Sequence, residues 1–368
     1  MTSPGQRRDA REISAEPNDA LAGTVQQPPI ACDGAAAALQ VLRMTDGLIL
    51  HQSLYAAATL GIADLLARGP QRTTELAGVV HVNEDALFRM LRFLGGQGIF
   101  RETSARTFAN NALSNCLRSD VPESVRPILI FRGSPYYFSP FGEFLHSIET
   151  GKAARDKVLG MEAFEYLRHH PQEGRLFDDA MTGISALWAP DIATAYDFGH
   201  WGTLMDVGGG NGLLLAAILK AHPGLRGVLA DQQQVLERAR EQGYLSCELA
   251  DRAQFKPADF FHAIPSGCRA YLMKNIIHDW DDARACQILR SCREAIPKDG
   301  VLLLVEYCLG EDNAPSIGKT VDLVMLAVTG GKERTVSEHR ELLMAAGFHL
   351  ERIIPVRNEL MIIEAKPS

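Results

Sequence analysis

The chain has 368 residues, of which 46% are hydrophobic and 22% are charged, and its formal net charge at pH 7 is −8. This composition is that of an ordinary globular protein with room for a sizeable core and two domains. The negative balance argues against a general nucleic-acid surface, although a local basic patch stays possible. The seven cysteines form no Cys-x-x-Cys pair and no Cys/His metal spacing. We therefore expect reduced thiols, no metal and a cytoplasmic protein.

Residues 1–34 are rich in Pro, Gln, Asp and Arg and contain no apolar signal core. Their composition predicts a disordered tail. No later apolar run approaches the ~18 residues that a membrane-spanning helix needs, so we expect no membrane partner.

Residues 35–148 show the apolar spacing that is typical of helices. Thr73 stands where a helix cap is expected and Glu75 follows it early in the predicted helix. Asn83 is placed to cap the next predicted helix, over residues 84–94. These signals predict two short helices joined by a turn.

A small hairpin, predicted over residues 99–101 and 106–108, completes a winged-helix-like arrangement. Such a domain could bind DNA, but its second helix carries a wide apolar face with Leu87, Leu91 and Phe93. That face suits packing against protein better than contact with phosphate. We expect a dimerisation domain with no nucleic-acid partner. A DNA-binding regulator that senses a cofactor is the alternative.

From residue 201 onward, strands alternate with helices. The predicted strands comprise residues 204–207, 226–230, 269–273 and 301–305, and the predicted helices residues 213–222, 233–242 and 281–295. Residues 301–305 are the most apolar, as expected at the centre of a parallel sheet, and residues 350–364 predict an antiparallel hairpin at one edge. The pattern predicts a doubly wound, Rossmann-like α/β domain over residues 201–368. Residues 149–200 are predicted to be bridging helices.

A glycine-rich stretch, Asp206-Val-Gly-Gly-Gly-Asn-Gly212, lies between the first predicted strand and helix of this domain. Ligands of doubly wound folds bind at the carboxyl ends of the strands, so this loop is expected to line a site. Its spacing departs from the G-x-G-x-x-G pattern of nicotinamide cofactors. Asp231 ends the second predicted strand, where a carboxylate can bind both ribose hydroxyls. Together these features predict a nucleoside cofactor.

The stretch DVGGGNG resembles the first motif of S-adenosylmethionine-dependent methyltransferases. Four further stretches follow the order seen in small-molecule O-methyltransferases of the plant caffeate type and in their bacterial relatives that methylate polyketide and phenazine phenols. They are FDDAM at 177–181, KNIIHDWDD at 274–282, VEYCL at 305–309 and GGKERT at 330–335. The resemblance implies S-adenosylmethionine as cofactor, no metal, an aromatic small-molecule acceptor and a homodimer.

The same resemblance implies roles for individual residues. The catalytic positions match His278 as general base, with Glu306 and Glu333 holding it. Cofactor contacts match seven residues: Ser185, Gly208, Gly210, Asp231, Asp259, Phe260 and Lys274. Acceptor-pocket positions match Phe177, Met181, Asp279 and Met325.

Two positions depart from the plant pattern. Ile184 stands where the plant enzymes have a pocket His, and Thr329 stands where they have an Asn. A phenylpropanoid acceptor is therefore not expected, and a larger, flatter and more apolar aromatic acceptor fits better. Trp188 fits either the core or the pocket. A relative that uses the same cofactor for hydroxylation, decarboxylation or a pericyclic step is the alternative function.

The residue types suit methyl transfer to a phenol. A phenol has a pKa of ~10 and neutral imidazole one of ~6.5, so a His base is weaker than the phenolate it produces. Concerted proton loss and attack avoid a free phenolate. A carboxylate on the other imidazole nitrogen fixes the tautomer and stabilises the imidazolium. Glu306 is predicted to follow directly after the most apolar strand, where a carboxylate is costly unless it is paired or functional.

Overall fold

The structure, a computed structural model, describes residues 34–357 and 359–368. The predicted tail lies outside these residues except for Gly34, which begins a helix. The chain divides into two compact units, Met1–Leu48 and Ile49–Ser368. Helix α1 (Gly34–Thr45) belongs to the first unit, and helix α2 (Gly47–Thr59) runs from the first into the second.

No single helix in the described part of the chain is both long and apolar enough to cross a membrane. One bent pair, Gly34–Thr59 with Ile62–Arg68, reaches that length and composition only when its two helices are taken together.

The second unit begins with the predicted winged-helix-like arrangement. Its elements are α3 (Ile62–Leu65), β1 (Gln71–Arg72), α4 (Thr73–Val80), α5 (Glu84–Gly96), β2 (Phe100–Ser104), β3 (Thr107–Asn110) and α6 (Ala112–Asn115). Strand β3 pairs antiparallel with both β1 and β2, so the predicted hairpin gains a third strand. The two residues of β1 are too few to give a periodic signal in the sequence.

Of the two helix caps predicted in this region, one is confirmed and one is wrong. Asn83 caps α5, because its Oδ1 accepts the N–H of Ala86 at 2.9 Å. Thr73 is not a cap: it is the first residue of α4, and the cap is Arg72, whose N–H is accepted by Glu75 at 3.0 Å. The Thr73 hydroxyl is buried and donates to Glu84 instead. The Thr73 side chain, which the local pattern assigned to the helix cap, thus makes a tertiary hydrogen bond instead.

Six helices follow and lead to the sheet. They are α7 (Arg126–Gly133), α8 (Pro135–Gly142), α9 (Phe144–Thr150), α10 (Ala154–Leu159), α11 (Ala163–His169) and α12 (Pro171–Ala195). The last of them is 25 residues long and packs against both α7 and the first helix of the sheet domain.

The sheet domain alternates strands and helices as predicted. Its elements are β4 (Thr203–Val207), α13 (Leu213–Ala221), β5 (Arg226–Asp231), α14 (Gln233–Gln242), β6 (Ala253–Pro257), β7 (Ala270–Lys274), α15 (Asp282–Ala295), β8 (Val301–Leu309), α16 (Ile317–Val328), β9 (Arg334–Thr335), α17 (Val336–Ala345), β10 (Phe348–Arg357) and β11 (Leu360–Pro367). The strand order is β10-β11-β8-β7-β4-β5-β6, with β9 paired to the end of β8. Strand β6, half-buried and partly polar, was not predicted.

The central position of the sheet belongs to β7, so the prediction that residues 301–305 lie at the centre is wrong. Strand β8 pairs in parallel with β7 on one side and antiparallel with β11 on the other. It is apolar because both of its faces are covered. Alternate residues enter two separate cores: Leu303 and Val305 point to one face, and Leu302 and Leu304 to the other. This period of two is the expected behaviour of a strand between two helical layers.

Candidate active site

The strand order reverses at β4, which lies between β5 and β7, so the fold places a ligand crevice at the carboxyl end of β4. The glycine loop begins at that point. Gly208 has φ +71°, and a Cβ there would lie 2.5 Å from the side chain of Ile276 and 3.6 Å from the ring of Phe260. Gly210 has φ +58° and open space around its Cα. The loop therefore needs glycine for its conformation and leaves room for a ligand.

Asp231 fastens this loop to the neighbouring strand. Its Oδ2 accepts the N–H of Gly210 at 3.0 Å, and its Oδ1 accepts the N–H of Gln232 at 2.7 Å. Burial raises the pKa of Asp231 to about 6. Each carboxylate oxygen has a further lone pair, so the predicted bond to ribose hydroxyls fits this geometry.

A cavity of about 570 Å³ opens beside Asp231. It is lined by Arg168, Gln232, Gln233, Pro257, Ala258 and Asp259. Asp259 is exposed and contacts His262 at 2.8 Å, while Phe260 is half-buried and packs 6.4 Å from the Trp280 ring. The cavity and the aromatic ring beside the glycine loop suit an adenosine group.

Polar groups without partners surround the other side of the loop. Among the residues that the structure describes, Asp206 Oδ2, Asn211 Oδ1 and Asn275 Oδ1 are buried and have no hydrogen-bond partner. Burial raises the pKa of Asp206 to about 7 and lowers that of Lys274, which ends β7. Buried polar atoms are costly unless they are paired. These atoms therefore fit the charged amino-acid end of S-adenosylmethionine.

Two contacts between α12 and the cofactor region were not predicted. Asn211 donates to the hydroxyl of Thr182 at 2.9 Å, and Arg238 of α14 binds Asp178. The stretch FDDAM contains Asp178, but nothing in the sequence signals its partner, which is 60 residues away. Ser185 lies on the same helix, three residues after Thr182, and makes no side-chain hydrogen bond within the described ranges.

The predicted catalytic residues meet where β7 ends and β8 continues. Asn275 has φ +53°, which turns the chain away from the sheet and leaves the next backbone N–H groups without a strand partner. Glu306 Oε1 accepts two of them, from Ile276 at 3.1 Å and from Ile277 at 3.0 Å. Glu306 lies inside β8, not after it as predicted, and is 0% exposed.

His278 stands in this turn, buried between carboxylates. Its Nδ1 lies 2.6 Å from Glu333 Oε1 and 3.7 Å from Glu306 Oε2. Strand β9 starts one residue after Glu333 and pairs with the end of β8, which brings the loop of GGKERT to the histidine. On the other side of the ring, Nε2 lies 3.9 Å from Asp279 Oδ1. The structure thus brings all three predicted catalytic residues together.

Burial sets the titration of these carboxyl groups. It raises the pKa of Glu306 to about 7, that of Glu333 to about 8 and that of Asp279 to about 6. In each case the loss of hydration outweighs the attraction of neighbouring cations. The cluster therefore holds and releases protons near neutral pH.

The same three side chains have a spacing that a metal ion could use, since one ligand atom from each lies within 4.8 Å of the others. One contact favours proton chemistry, because the 2.6 Å separation of Nδ1 and Glu333 requires a shared proton.

Aromatic side chains form a wall beside this cluster. Phe177 of α12 lies 5.7 Å from the ring of Phe131 and 6.1 Å from that of Phe164, which in turn lies 5.4 Å from Trp280. Met181 packs in the same apolar cluster. The wall joins the predicted acceptor residues of α12 to the HDW stretch.

Two further residues from the sequence analysis, Met325 and Trp188, pack in other apolar clusters. Met325 of α16 is 9% exposed and packs with Phe141 and Val324, which also border the cluster around Phe177. Trp188, whose role the sequence left open, packs against the core on one face of the sheet.

Arg334 was not predicted as a site residue although it stands in GGKERT. It is 1% exposed and donates to the carbonyl oxygens of Ile277 and Trp280 at 3.1 and 2.9 Å, and to Asp282 at 2.9 Å. These bonds fix the backbone on both sides of His278. Its position within a motif was the only signal, since sequence does not show that an arginine is buried.

The family comparisons agree with this geometry. The O-methyltransferase domain family matches residues 141–349, and the O-methyltransferase dimerisation domain matches residues 42–120. The chain belongs to the S-adenosylmethionine-dependent O-methyltransferases. The predictions of this family, of the Rossmann-like fold with an N-terminal helical dimerisation domain, of methyltransferase activity and of S-adenosylmethionine as cofactor are confirmed.

Relatives of this chain act on aromatic natural products. Phenazine O-methyltransferase of Lysobacter antibioticus is 40% identical, over 89% of this chain and 95% of its own. The structure of mitomycin 7-O-methyltransferase has a TM-score of 0.85 at 36% identity, covering 91% and 99% of the two chains.

A neocarzinostatin-biosynthesis O-methyltransferase in complex with S-adenosyl-L-homocysteine and 1,4-dihydroxy-2-naphthoic acid has a TM-score of 0.76 at 34% identity, covering 89% and 98%. These relatives give no support to the alternative of hydroxylation, decarboxylation or a pericyclic step.

A substitution at Gly331 tests whether the close approach of the GGKERT loop positions His278. A Cβ on Gly331 would lie 2.1 Å from the carbonyl oxygen of His278 and 2.4 Å from the carbonyl carbon of Asp279. We expect Gly331→Ala to displace the loop and to lower kcat/KM about 100-fold, since misplacement by ~1 Å costs about that much. Gly78→Ala, on an exposed helical position with open space, is the control and should keep wild-type kcat/KM. An unchanged kcat/KM for Gly331→Ala would show that the contact does not position the histidine.

Proposed function

We propose that this enzyme methylates a hydroxyl group of an aromatic secondary metabolite and that His278 accepts the hydroxyl proton. The observation that carries the proposal is the 2.6 Å contact between His278 Nδ1 and Glu333, which occupies one ring nitrogen and leaves Nε2 on the side of the ring that faces Asp279. The phenazine, mitomycin and dihydroxynaphthoic acid named for the relatives support an aromatic acceptor.

S-adenosylmethionine, when bound, supplies a methyl group activated by the positive charge on sulfur. The residues of the chain supply the rest. His278 Nε2 takes the hydroxyl proton as the oxygen attacks, while Nδ1–H donates to Glu333, which stabilises the imidazolium. Glu306 adds a second nearby carboxylate at 3.7 Å and holds the turn through two backbone N–H groups. Such a base contributes ~10²–10⁴-fold, and positioning up to ~7–11 kcal/mol.

Cofactor and acceptor are assigned to separate parts of the crevice. We assign the ribose to Asp231, the amino-acid end to Lys274, Ser185 and the glycine loop, and the adenine to Asp259 and Phe260. The acceptor is assigned to the aromatic wall with Phe177, Met181, Asp279 and Met325. In this assignment residues 201–368 bind the cofactor, residues 149–200 contribute to the acceptor pocket and residues 35–148 serve dimerisation.

Replacing the base tests the first part of the proposal. We expect His278→Gln to lower kcat by about 10²–10⁴-fold, because the hydroxyl loses its proton acceptor. The affinity for S-adenosylhomocysteine, measured by calorimetry, should stay within about threefold of wild type, since the side chain does not enter the cofactor assignment. Release of S-adenosylhomocysteine during turnover of a phenolic panel is the activity readout. Full turnover by His278→Gln would contradict the role of His278.

The protonation state of the His278–Glu333 pair predicts a pH dependence. The pKa of Glu333 is about 8 because the group is buried. Below that pH the pair holds one extra proton. Whether that proton resides on Glu333 or on the ring, Nε2 carries hydrogen and cannot accept another proton. We expect kcat/KM to rise as the pH increases from 6 to 9, with an apparent pKa of about 8. Glu333→Gln should remove this step, and a profile that is flat in wild type or unchanged in the variant would contradict the assignment.

We infer that the chain forms a homodimer through its N-terminal helices. Helix α1 has no buried residue, and this part of the chain exposes several large apolar side chains: Leu39, Val41, Leu42, Met44 and Leu48. Patches of this kind mark protein interfaces. The match of the dimerisation domain to residues 42–120 supports the inference.

Light scattering tests the homodimer. We expect a mass of twice the 40.3 kDa of one chain. We expect a monomer for Leu42→Glu, because Leu42 is 61% exposed and is one of the exposed apolar side chains of α1. Met344 is 70% exposed on α17 and is the matched control, so Met344→Glu should keep the wild-type mass. A monomeric wild type, or a dimer that survives Leu42→Glu, would place the interface elsewhere.

A further inference from the structure

Arg155 of α10 is a buried cation without a close carboxylate partner. It is 3% exposed, its Nη1 donates to the Tyr136 hydroxyl at 3.1 Å, and its guanidinium carbon lies 4.2 Å from the centre of the Tyr136 ring. Its buried Nε has no hydrogen-bond partner among residues 34–357 and 359–368. Within the same ranges no carboxylate oxygen lies within 4.0 Å of the guanidinium. At least one donor of a charged group, the Nε–H, is thus left unused inside the protein.

This arrangement is costly and differs from that of Arg334, another buried arginine. Burying an unpaired charge is unfavourable, and guanidinium stays protonated in proteins, so the group cannot escape the cost by becoming neutral. Arg334, equally buried, has Asp282 and two backbone carbonyl oxygens as partners. The fold supplies partners for Arg334 and leaves Arg155 without an anion.

The position of Arg155 connects it to the acceptor site. The charges of Arg155 and Asp279 shift each other's pKa, and Asp279 lies 3.9 Å from His278 Nε2, the proposed base nitrogen. Tyr136, on which the guanidinium stacks, lies 6.0 Å from Phe131, a neighbour of Phe177 in the aromatic wall. Arg155 is thus near Asp279, the neighbour of the base, and contacts Tyr136, which packs against the aromatic wall.

We propose that Arg155 binds a carboxylate group of the acceptor, so that the substrate is an aromatic hydroxy acid. This assignment rests on the proposed function and adds the chemical class of the acceptor. A planar carboxylate matches the fork of guanidinium N–H donors and supplies the anion that the buried cation lacks. The apolar wall would hold the ring system, and the arginine would fix its orientation with the hydroxyl at Nε2 of His278.

Matched acid and amide probes test this assignment. The probes are 1,4-dihydroxy-2-naphthoic acid and 6-hydroxyphenazine-1-carboxylic acid, each with its primary amide, bound to the dimer saturated with S-adenosylhomocysteine. We expect at least one acid to bind the wild type about tenfold or more tightly than its amide, because a charge-assisted hydrogen bond is lost in the amide. Arg155→Met should abolish that preference while leaving the affinity for the amide within about threefold.

Absence of an acid preference on both scaffolds, or its survival in Arg155→Met, would overturn the assignment. The assay needs no turnover, so an acid preference in an enzyme that methylates none of the probes would count against the proposed function and not against Arg155.

Thermal unfolding separates a ligand-binding arginine from a structural one. Without ligand, Arg155→Met should unfold at the wild-type temperature or above it, because the variant removes an unpaired buried charge. Arg334→Met is the matched control and should unfold at a lower temperature, since its partners lose their donors. A comparable drop for Arg155→Met would show a structural role and overturn the proposal.

Discussion

The site depends on one buried carboxylate in an apolar strand. Glu306 lies on β8, with no exposed surface, among residues that are otherwise apolar. The cost of that burial is offset by two backbone N–H groups that β7 leaves unpaired where Asn275 turns the chain outward. The turn that creates these free N–H groups is the turn that carries His278. Removing the carboxylate would therefore loosen the turn that carries His278 and leave the N–H groups of Ile276 and Ile277 without their acceptor.

Two segments distant in sequence, strand β8 with Glu306 and the loop of GGKERT, hold the histidine in place. The loop of GGKERT approaches so closely that Gly331 has no room for a side chain, Glu333 contacts the ring, and Arg334 binds the backbone on both sides of it. On the other side, α12 joins the glycine loop to the aromatic wall. A rigid base between a cofactor crevice and an aromatic wall suits in-line transfer, in which positioning supplies much of the rate.

The sequence predicted what depends on local pattern. The alternation of strand and helix, the place of the glycine loop between β4 and α13, and the place of Asp231 at the end of β5 were predicted correctly. Hydrophobic period and turn chemistry are local. Thr73 was wrongly taken as a cap because a bond to Glu84 claimed its hydroxyl. Glu306 was placed after its strand because an acidic residue ordinarily ends an apolar run, and only the neighbouring turn reveals its partners. The unpaired state of Arg155 is a property of packing, which no spacing in the sequence encodes.

In the proposed mechanism, Glu333 holds His278 with hydrogen on Nδ1 and with Nε2 free to accept a proton. Nitrogen-15 NMR of histidine-labelled protein, with His278→Gln used to assign the resonance, measures this tautomer directly. At pH 9, above the pKa of Glu333 of about 8, we expect a ring that carries hydrogen on Nδ1 alone, with a downfield N–H proton that disappears in Glu333→Gln. A ring protonated at Nε2 at that pH would contradict the role of His278 as base, because that nitrogen could not then take a proton from the acceptor.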